Sequence, residues 1–338
     1  MKTIHTIMRC ALVVMLVATM ADAQTRKAGL TGASFLKIGV GAREVALGTA
    51  VTALPGDANG MFYNPASIAL KDEVGQATFN YNKWIADLNH TSAAITYNWE
   101  GVGTFGVGFI TFGVSDITAD RDIYSDPVLA AQQTDHNTSA TYDYRDMSVQ
   151  LTYSRYVMEN FSLGATVKGI FETADGMNIN AVAVDLGSVY NIGVLDWRIA
   201  ARMNNLGSDM KYYDIAFGLP LTFTIGTSIV PISTELAKFT VAVDAVKSQD
   251  GPQYFFTGGE IAFNNMLFLR GGYKLNYSGT DDGGTTTRKA IKSTIEGLSL
   301  GAGFRIGYEG FLVTVDYAYS KMDLLDNVHR FSVTLGMK

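Results

Sequence analysis

Fourteen stretches of nine or more residues alternate apolar with small or polar side chains, and the links between them alternate tight with long. This double alternation constrains the fold more than any other feature of the chain. The stretches fall at 74–82, 90–100, 103–112, 145–156, 160–171, 179–192, 195–204, 219–229, 237–246, 253–263, 266–276, 295–307, 310–320 and 328–337. In "FLVTVDYAYS", Phe311, Val313, Val315, Tyr317 and Tyr319 share one face and Leu312, Thr314, Asp316, Ala318 and Ser320 the other, as a strand between two unlike surroundings requires. About nine to eleven residues carry a tilted strand across a membrane, and single-chain bacterial outer-membrane barrels use an even number of strands. The second, fourth, sixth, tenth and twelfth links are tight ("GV", "VME", "GV", "NN" and "YE"). The third (113–144), seventh (205–218) and eleventh (277–294) are long and polar, and the eighth, "VPISTEL", is the imperfect member. Outer-membrane barrels have short periplasmic turns and longer extracellular loops. The pattern therefore predicts an all-β fold, a 14-stranded antiparallel transmembrane β-barrel over residues 74–338, in the outer membrane of a Gram-negative-type bacterium with both termini periplasmic.

A soluble multi-sheet β protein would share the periodicity, and the placement of charge separates the two. Opposite the aromatic and aliphatic face stand Thr, Ser, Gly and charges of both signs: Glu100, Lys168, Asp185, Arg198, Arg202, Asp244, Arg270, Lys274, Arg305, Asp316 and Arg330. Such a mixture suits a polar lumen where opposite charges pair, while the other face meets outer-membrane lipid. A charge in mid-strand on the lipid face would cost roughly 2–4 kcal/mol. Only Arg155 and Glu260 fall on that face by parity, both near strand ends. Charged residues are 17% of the chain, below the roughly 25% usual for a soluble domain. Trp84, Tyr277 and Tyr319 fall at predicted outer strand ends, and Trp99, Trp197, Tyr190 and Tyr308 at inner ends, as interfacial girdles require.

The first 23 residues read as a signal peptide: Lys2 and Arg9 precede the apolar run "CALVVMLVATM", and "ADA" before Gln24 fits a cleavage site. Eleven apolar residues fall well short of the roughly 20 that span a bilayer as a helix. The single cysteine, Cys10, leaves with the leader, so the mature chain has no disulfide or thiol chemistry. The formal net charge of −6 gives nucleic acid no basic surface to bind.

No motif of catalysis or cofactor binding survives inspection. "GVGTFG" (Gly101, Gly103, Gly106) has the spacing of a dinucleotide loop, but a strand follows it instead of the helix whose N-terminus would meet the pyrophosphate. His90, His136 and His329 have no neighbours at metal-ligand spacing. The acidic runs in 113–144 and at Asp281-Asp282 lack the alternating order of a calcium loop and suit a solvated surface better. A non-enzymatic protein without cofactor or metal is expected.

Residues 24–73 do not alternate. They carry short helical patterns broken by Gly39, Gly41 and Gly48, then two turn signals around Phe62-Tyr63. Small residues let a backbone pack closely on a barrel wall, and Asp57 and Asn64 can satisfy turn amides, so the segment is expected to enter the lumen as a short helical plug. The run "FLKIGVGAREVALGTAVTALPGDANGMFYNPASIA", through Gly41, Arg43, Gly48, Asp57, Asn64, Pro65 and Ala66, resembles the N-terminal signature of the PorV/PorQ family, itself related to the fatty-acid transporter FadL. The resemblance implies a fourteen-stranded plugged barrel. It also implies a role in type IX protein secretion as a binding, shuttle or anchoring component. The implied partners are the translocon, attachment components or cargo C-terminal domains, met through the extracellular loops. The signature does not separate a PorV-like from a PorQ-like member. The alternative is a FadL-like channel for hydrophobic small molecules, and a purely structural barrel is the third class. The inward charges argue against a greasy lumen.

Overall fold

The computed structural model describes residues 30–71, 73–119, 126–132, 140–212, 214–251, 253–275, 296–322 and 325–338. The expected leader, Tyr277, His136, Asp281-Asp282 and the 277–294 loop lie outside the described residues, as do parts of 113–144. In chain order, the helix α1 (Ala42–Ala46) precedes β1 (Gly75–Lys83), β2 (Asn89–Trp99) and β3 (Gly103–Thr118). Then come α2 (Pro127–Ala130), β4 (Thr141–Met158), β5 (Phe161–Ala174), β6 (Met177–Asn191), β7 (Arg198–Gly207), β8 (Met210–Tyr212) and β9 (Ile215–Phe217). The chain continues through β10 (Thr222–Ser233), β11 (Ala237–Ser248), β12 (Gln253–Phe263), β13 (Leu267–Leu275), β14 (Glu296–Tyr308), β15 (Phe311–Met322) and β16 (Val328–Met337). Among the described residues, fourteen of these strands form one closed antiparallel barrel, and β8–β9 stands apart as a hairpin. The barrel closes where β1 pairs with β16, from Gly75 opposite Met337 to Lys83 opposite His329. Closure leaves no strand edge unpaired, the condition for a sheet in lipid.

Each strand splits its side chains as the period of two demands. On β16, Phe331, Val333, Leu335 and Met337 are exposed, while Arg330, Ser332 and Thr334 are buried in the lumen. The tight links are turns whose residues accept positive φ: Asn264-Asn265 (48° and 53°) and Glu309-Gly310 (46° and 86°). These shapes match the right-handed twist of the flanking strands, which is why two residues suffice.

Five placements differ from the sequence expectation. Glu100 lies in the turn between β2 and β3 and is exposed, because the strand ends at Trp99. Glu260 faces inward: β12 carries Tyr254, Phe255 and Phe256 in succession, so aromatics occupy both faces and composition does not tell inside from outside. Tyr254 and Phe256 are the buried pair. Trp84 turns inward under the Arg330 guanidinium, 5.2 Å from its ring, instead of joining an outer girdle. The 205–218 link holds the β8–β9 hairpin. Finally, Thr31 bridges Gly218 in that long link, whereas the amide of Lys338 bonds Gly310 in a tight turn, so the described chain begins and ends at opposite ends of the barrel. Arg155 does stay on the outer face, exposed near the strand end.

Val315 stands mid-strand on the outer face, half exposed. Replacing it with Arg is expected to cost about 2–4 kcal/mol of folding stability, against about 0–1 kcal/mol for Glu309→Arg in the turn, measured by urea titration in lipid vesicles. Equal costs at the two positions would contradict a lipid-facing surface.

Candidate functional site

Residues 30–71 occupy the lumen as a chain of short elements: a 3₁₀ turn at Ser34–Lys37, α1, and 3₁₀ turns at Ala58–Phe62 and Pro65–Leu70. Asp57 and Asn64 cap the last two, accepting from the amides of Asn59 (2.8 Å) and Ala66 (3.1 Å), and Pro65 begins its turn where no amide is needed. So short a set of elements leaves many backbone groups open, and the wall answers them. Ser332 Oγ accepts from the Ala42 amide (2.7 Å), and Asp244 accepts from the Thr52 amide (3.2 Å) and hydroxyl (2.6 Å). Ser228, Ser162 and Asn204 donate to the carbonyls of Ala53, Ala66 and Tyr63. Asn64 Nδ2 donates to Thr52 O (2.7 Å) within the plug and to Ser188 O on β6 (3.3 Å). The Tyr63 hydroxyl closes the plug on itself at Val40, engaging both its amide and its carbonyl.

Two glycine seats let the backbones approach. At Gly272 a Cβ would lie 2.1 Å from the Gly48 nitrogen, and at Gly258 it would lie 2.4 Å from the Leu47 carbonyl oxygen. Gly48 itself has φ +62°, a left-handed conformation that glycine adopts freely. At the second seat, a Cβ on Gly187 would meet Asn64 Oδ1 at 1.9 Å and one on Gly164 the Pro65 carbonyl carbon at 2.4 Å. Ala66 packs there against Ala53, Val189 and Ala200. Gly41, at φ +81°, starts α1 directly over the Glu44 carboxyl.

Ten of the eleven predicted lumen charges point inward, Glu100 being the exception, and most are paired. Lys168 meets Asp185 (2.7 Å), and Arg270 joins Glu260 (2.6 Å) to Asp316 (2.5 Å). Glu296 holds Lys274 (2.5 Å) and Arg330 (3.5 Å). Arg198 pairs with Asp196 at the turn end, and Arg305 donates to Thr314 over the Phe268 ring. Arg43 reaches across from the plug to Glu260 (3.5 Å) and donates to Pro55 O (3.1 Å), so one guanidinium spans plug and wall. Such pairs answer buried charge. Arg202 differs. It is 8% exposed and lies over the Tyr63 ring, 5.4 Å from its centroid, yet it makes no ion pair or hydrogen bond among the described residues, and its Nε is unpartnered.

Arg202 lines a cavity of about 510 Å³ between the plug and the long-link end of the barrel. Phe35, Tyr63, Trp84, Phe112, Tyr254 and Phe256 supply its apolar walls. Three of these, Trp84, Tyr254 and Phe256, were invisible as lumen residues, and only the last two are hinted at, by the successive aromatics of β12. Over the cavity, the N-terminal chain is clasped by Asp250, which accepts from Thr31 (2.6 Å), Lys37 (2.7 Å) and Ser248. Burial alone would raise the Asp250 carboxyl, but these three donors outweigh it and hold it below the ordinary carboxylate range. Met210 and Phe217 of the hairpin pack on the same segment at Gly32.

No protein-family model matches the sequence, and no curated protein matches it. Solved structures do. The toluene transporter TbuX of Ralstonia pickettii superimposes with a TM-score of 0.59 at 13% identity, over 89% of this chain and 98% of that one. The likeness is one of fold. The toluene transporter TodX of Pseudomonas putida (0.57, 10%, 88% and 97%) and the monoaromatic hydrocarbon channel CymD (0.53, 12%, 88% and 96%) share it.

Gly272→Val drives a side chain into Leu47-Gly48. In planar bilayers its conductance is expected to rise toward that of a barrel lacking residues 29–73, which leaks small solutes. An unchanged conductance on deletion would contradict a plug. Asp250 has a depressed folded-state value, so its clasp holds above the ordinary carboxylate range and is lost as pH falls through that depressed value. Asp250→Asn is expected to speed hydrogen exchange of residues 31–37 at neutral pH and to leave β16 unchanged.

Proposed function

We propose that this chain is an outer-membrane channel protein, FadL-like in kind, whose cavity takes up small apolar molecules carrying one acidic group. Arg202, without an ion pair or hydrogen bond among the described residues, carries this reading. A buried guanidinium that makes no direct ion pair is expensive, Asp244 and Asp185 acting on it only from beyond contact distance, and an apolar pocket with a convergent charge is the usual form of a small-molecule site. A bound carboxylate would accept from Arg202 while its apolar body lies among Phe35, Phe112, Tyr254 and Phe256. The paired state of Lys168 and Lys274 leaves Arg202 as the cation to which the head would go. Structures described as toluene transporters and a monoaromatic hydrocarbon channel share the fold, which favours apolar cargo.

The type IX secretion role implied by the PorV/PorQ resemblance draws no support beyond that signature. The 205–218 link, one of the loops expected to meet translocon, attachment components or cargo domains, is instead folded onto the chain's own N-terminal segment. The channel reading, named second from sequence, therefore comes first.

Trp84 lines the cavity, so its fluorescence reports occupancy. Decanoate is expected to bind the purified protein at least about tenfold tighter than methyl decanoate, since a hydrogen bond to a charged group contributes about 1.5–3 kcal/mol. In Arg202→Gln the two should bind alike. Equal affinities in the unaltered protein would remove the acidic group from the proposal, and failure of both to bind would remove the channel reading.

A further inference from the structure

The plug contains a buried carboxyl that its surroundings answer only in part. Glu44 sits in α1, is 1% exposed, and neither carboxyl oxygen has a hydrogen-bond partner among the described residues. Arg43 Nη1 makes one long ion pair with Oε1, at 3.6 Å, and shares its charge with Glu260 (3.5 Å) while donating to the Pro55 carbonyl. The other charges around α1 do not help. From the plug, Asp57 adds a like charge, and the Tyr63 hydroxyl gives its proton to Val40. On the strands that α1 packs against, Asp316 of β15 is another like charge, and Arg270 of β13 is bound by Asp316 and Glu260. Arg305 of β14 is turned to Thr314, Lys274 of β13 is bound by Glu296 of β14, and Arg330 of β16 is held by Ser320 and Glu296.

A carboxylate so placed would be buried, without hydrogen bonds and beside two other carboxylates. A neutral acid lowers the first two penalties and removes the third. Its seat is tight: a Cβ on Gly41 would lie 2.1 Å from Glu44 Oε2, and Ala42 and Ala46 press on Ala318 of the wall. The carboxyl cannot acquire a hydration shell without α1 leaving that seat.

We propose that Glu44 is a proton-operated latch: as the neutral acid it lets α1 dock on the barrel wall, and its ionisation releases the plug and opens the lumen. The latch is independent of what the cavity binds. Burial first, and then Asp57, raise the docked carboxyl above its ordinary range, whereas on release it would return to that range. Docking is thus strongest in acid below the ordinary carboxylate value and weakens as pH rises through the raised one.

The test is single-channel conductance of the full chain in planar bilayers from about pH 5 to about pH 9, for the unaltered protein and Glu44→Gln, with barrel closure checked by heat-modifiable gel mobility. The unaltered protein is expected to conduct at least about fivefold more at the alkaline end, and Glu44→Gln, which cannot ionise, to stay at the low level throughout. A flat profile in the unaltered protein, a rise that survives in Glu44→Gln, or a Glu44→Gln barrel that is open at every pH would each overturn the latch. Should Glu44→Gln fail to fold into the heat-modifiable barrel, hydrogen exchange in the unaltered protein decides. After correction for the intrinsic pH dependence, amides 42–46 are expected to exchange faster at about pH 9 relative to β16. Equal protection at both ends of the range would overturn the proposal.

Discussion

Everything inside this barrel depends on one requirement: an irregular backbone enclosed by a wall must find partners for its amides and carbonyls there. The wall meets it with short side chains, Ser332, Ser228, Ser162, Asn204 and Asp244, each aimed at a different point of residues 42–66. Glycines on both partners bring the backbones close enough for these short reaches. The strands therefore show a lumen face of Ser, Thr, Gly and Asn instead of the long polar side chains that would fill an open pore. The charges come second, as pairs that neutralise one another and, through Arg43, tie plug to wall.

The outer surface of the barrel was legible because it has one environment. Lipid rewards the same residue types on every strand, so β15 and β16 could be read face by face. The lumen has several environments, and parity failed where two of them meet. On β12 the cavity asks for aromatics at Tyr254 and Phe256 while lipid asks for one at Phe255, and the alternation vanishes. Glu260 was misplaced for the same reason. Trp84 looked interfacial because strand-end tryptophans usually are, yet Arg330 offered its ring a cation inside.

The plug was legible as a segment that does not alternate and is rich in turn residues. Its seats were not, because Gly164, Gly187, Gly258 and Gly272 look like any strand glycine until the partner backbone is seen. The weak pairing of Glu44 and Arg202 was hidden for a related reason. A missing hydrogen bond is a property of three dimensions, and the sequence lists charges without saying how well each is answered.

The glycine pairs of β12 and β13 have one more consequence. Gly258 lies opposite Gly272 and Gly259 opposite Gly271, the first pair facing the lumen and the second the bilayer between Phe239 and Leu300. Over that patch the four glycines themselves add no side chain on either side of the wall. Phe239 and Leu300 flank the patch outside and Leu47-Gly48 seats against it inside, so the part of the plug that follows α1 rests on strand backbone and not on a layer of side chains.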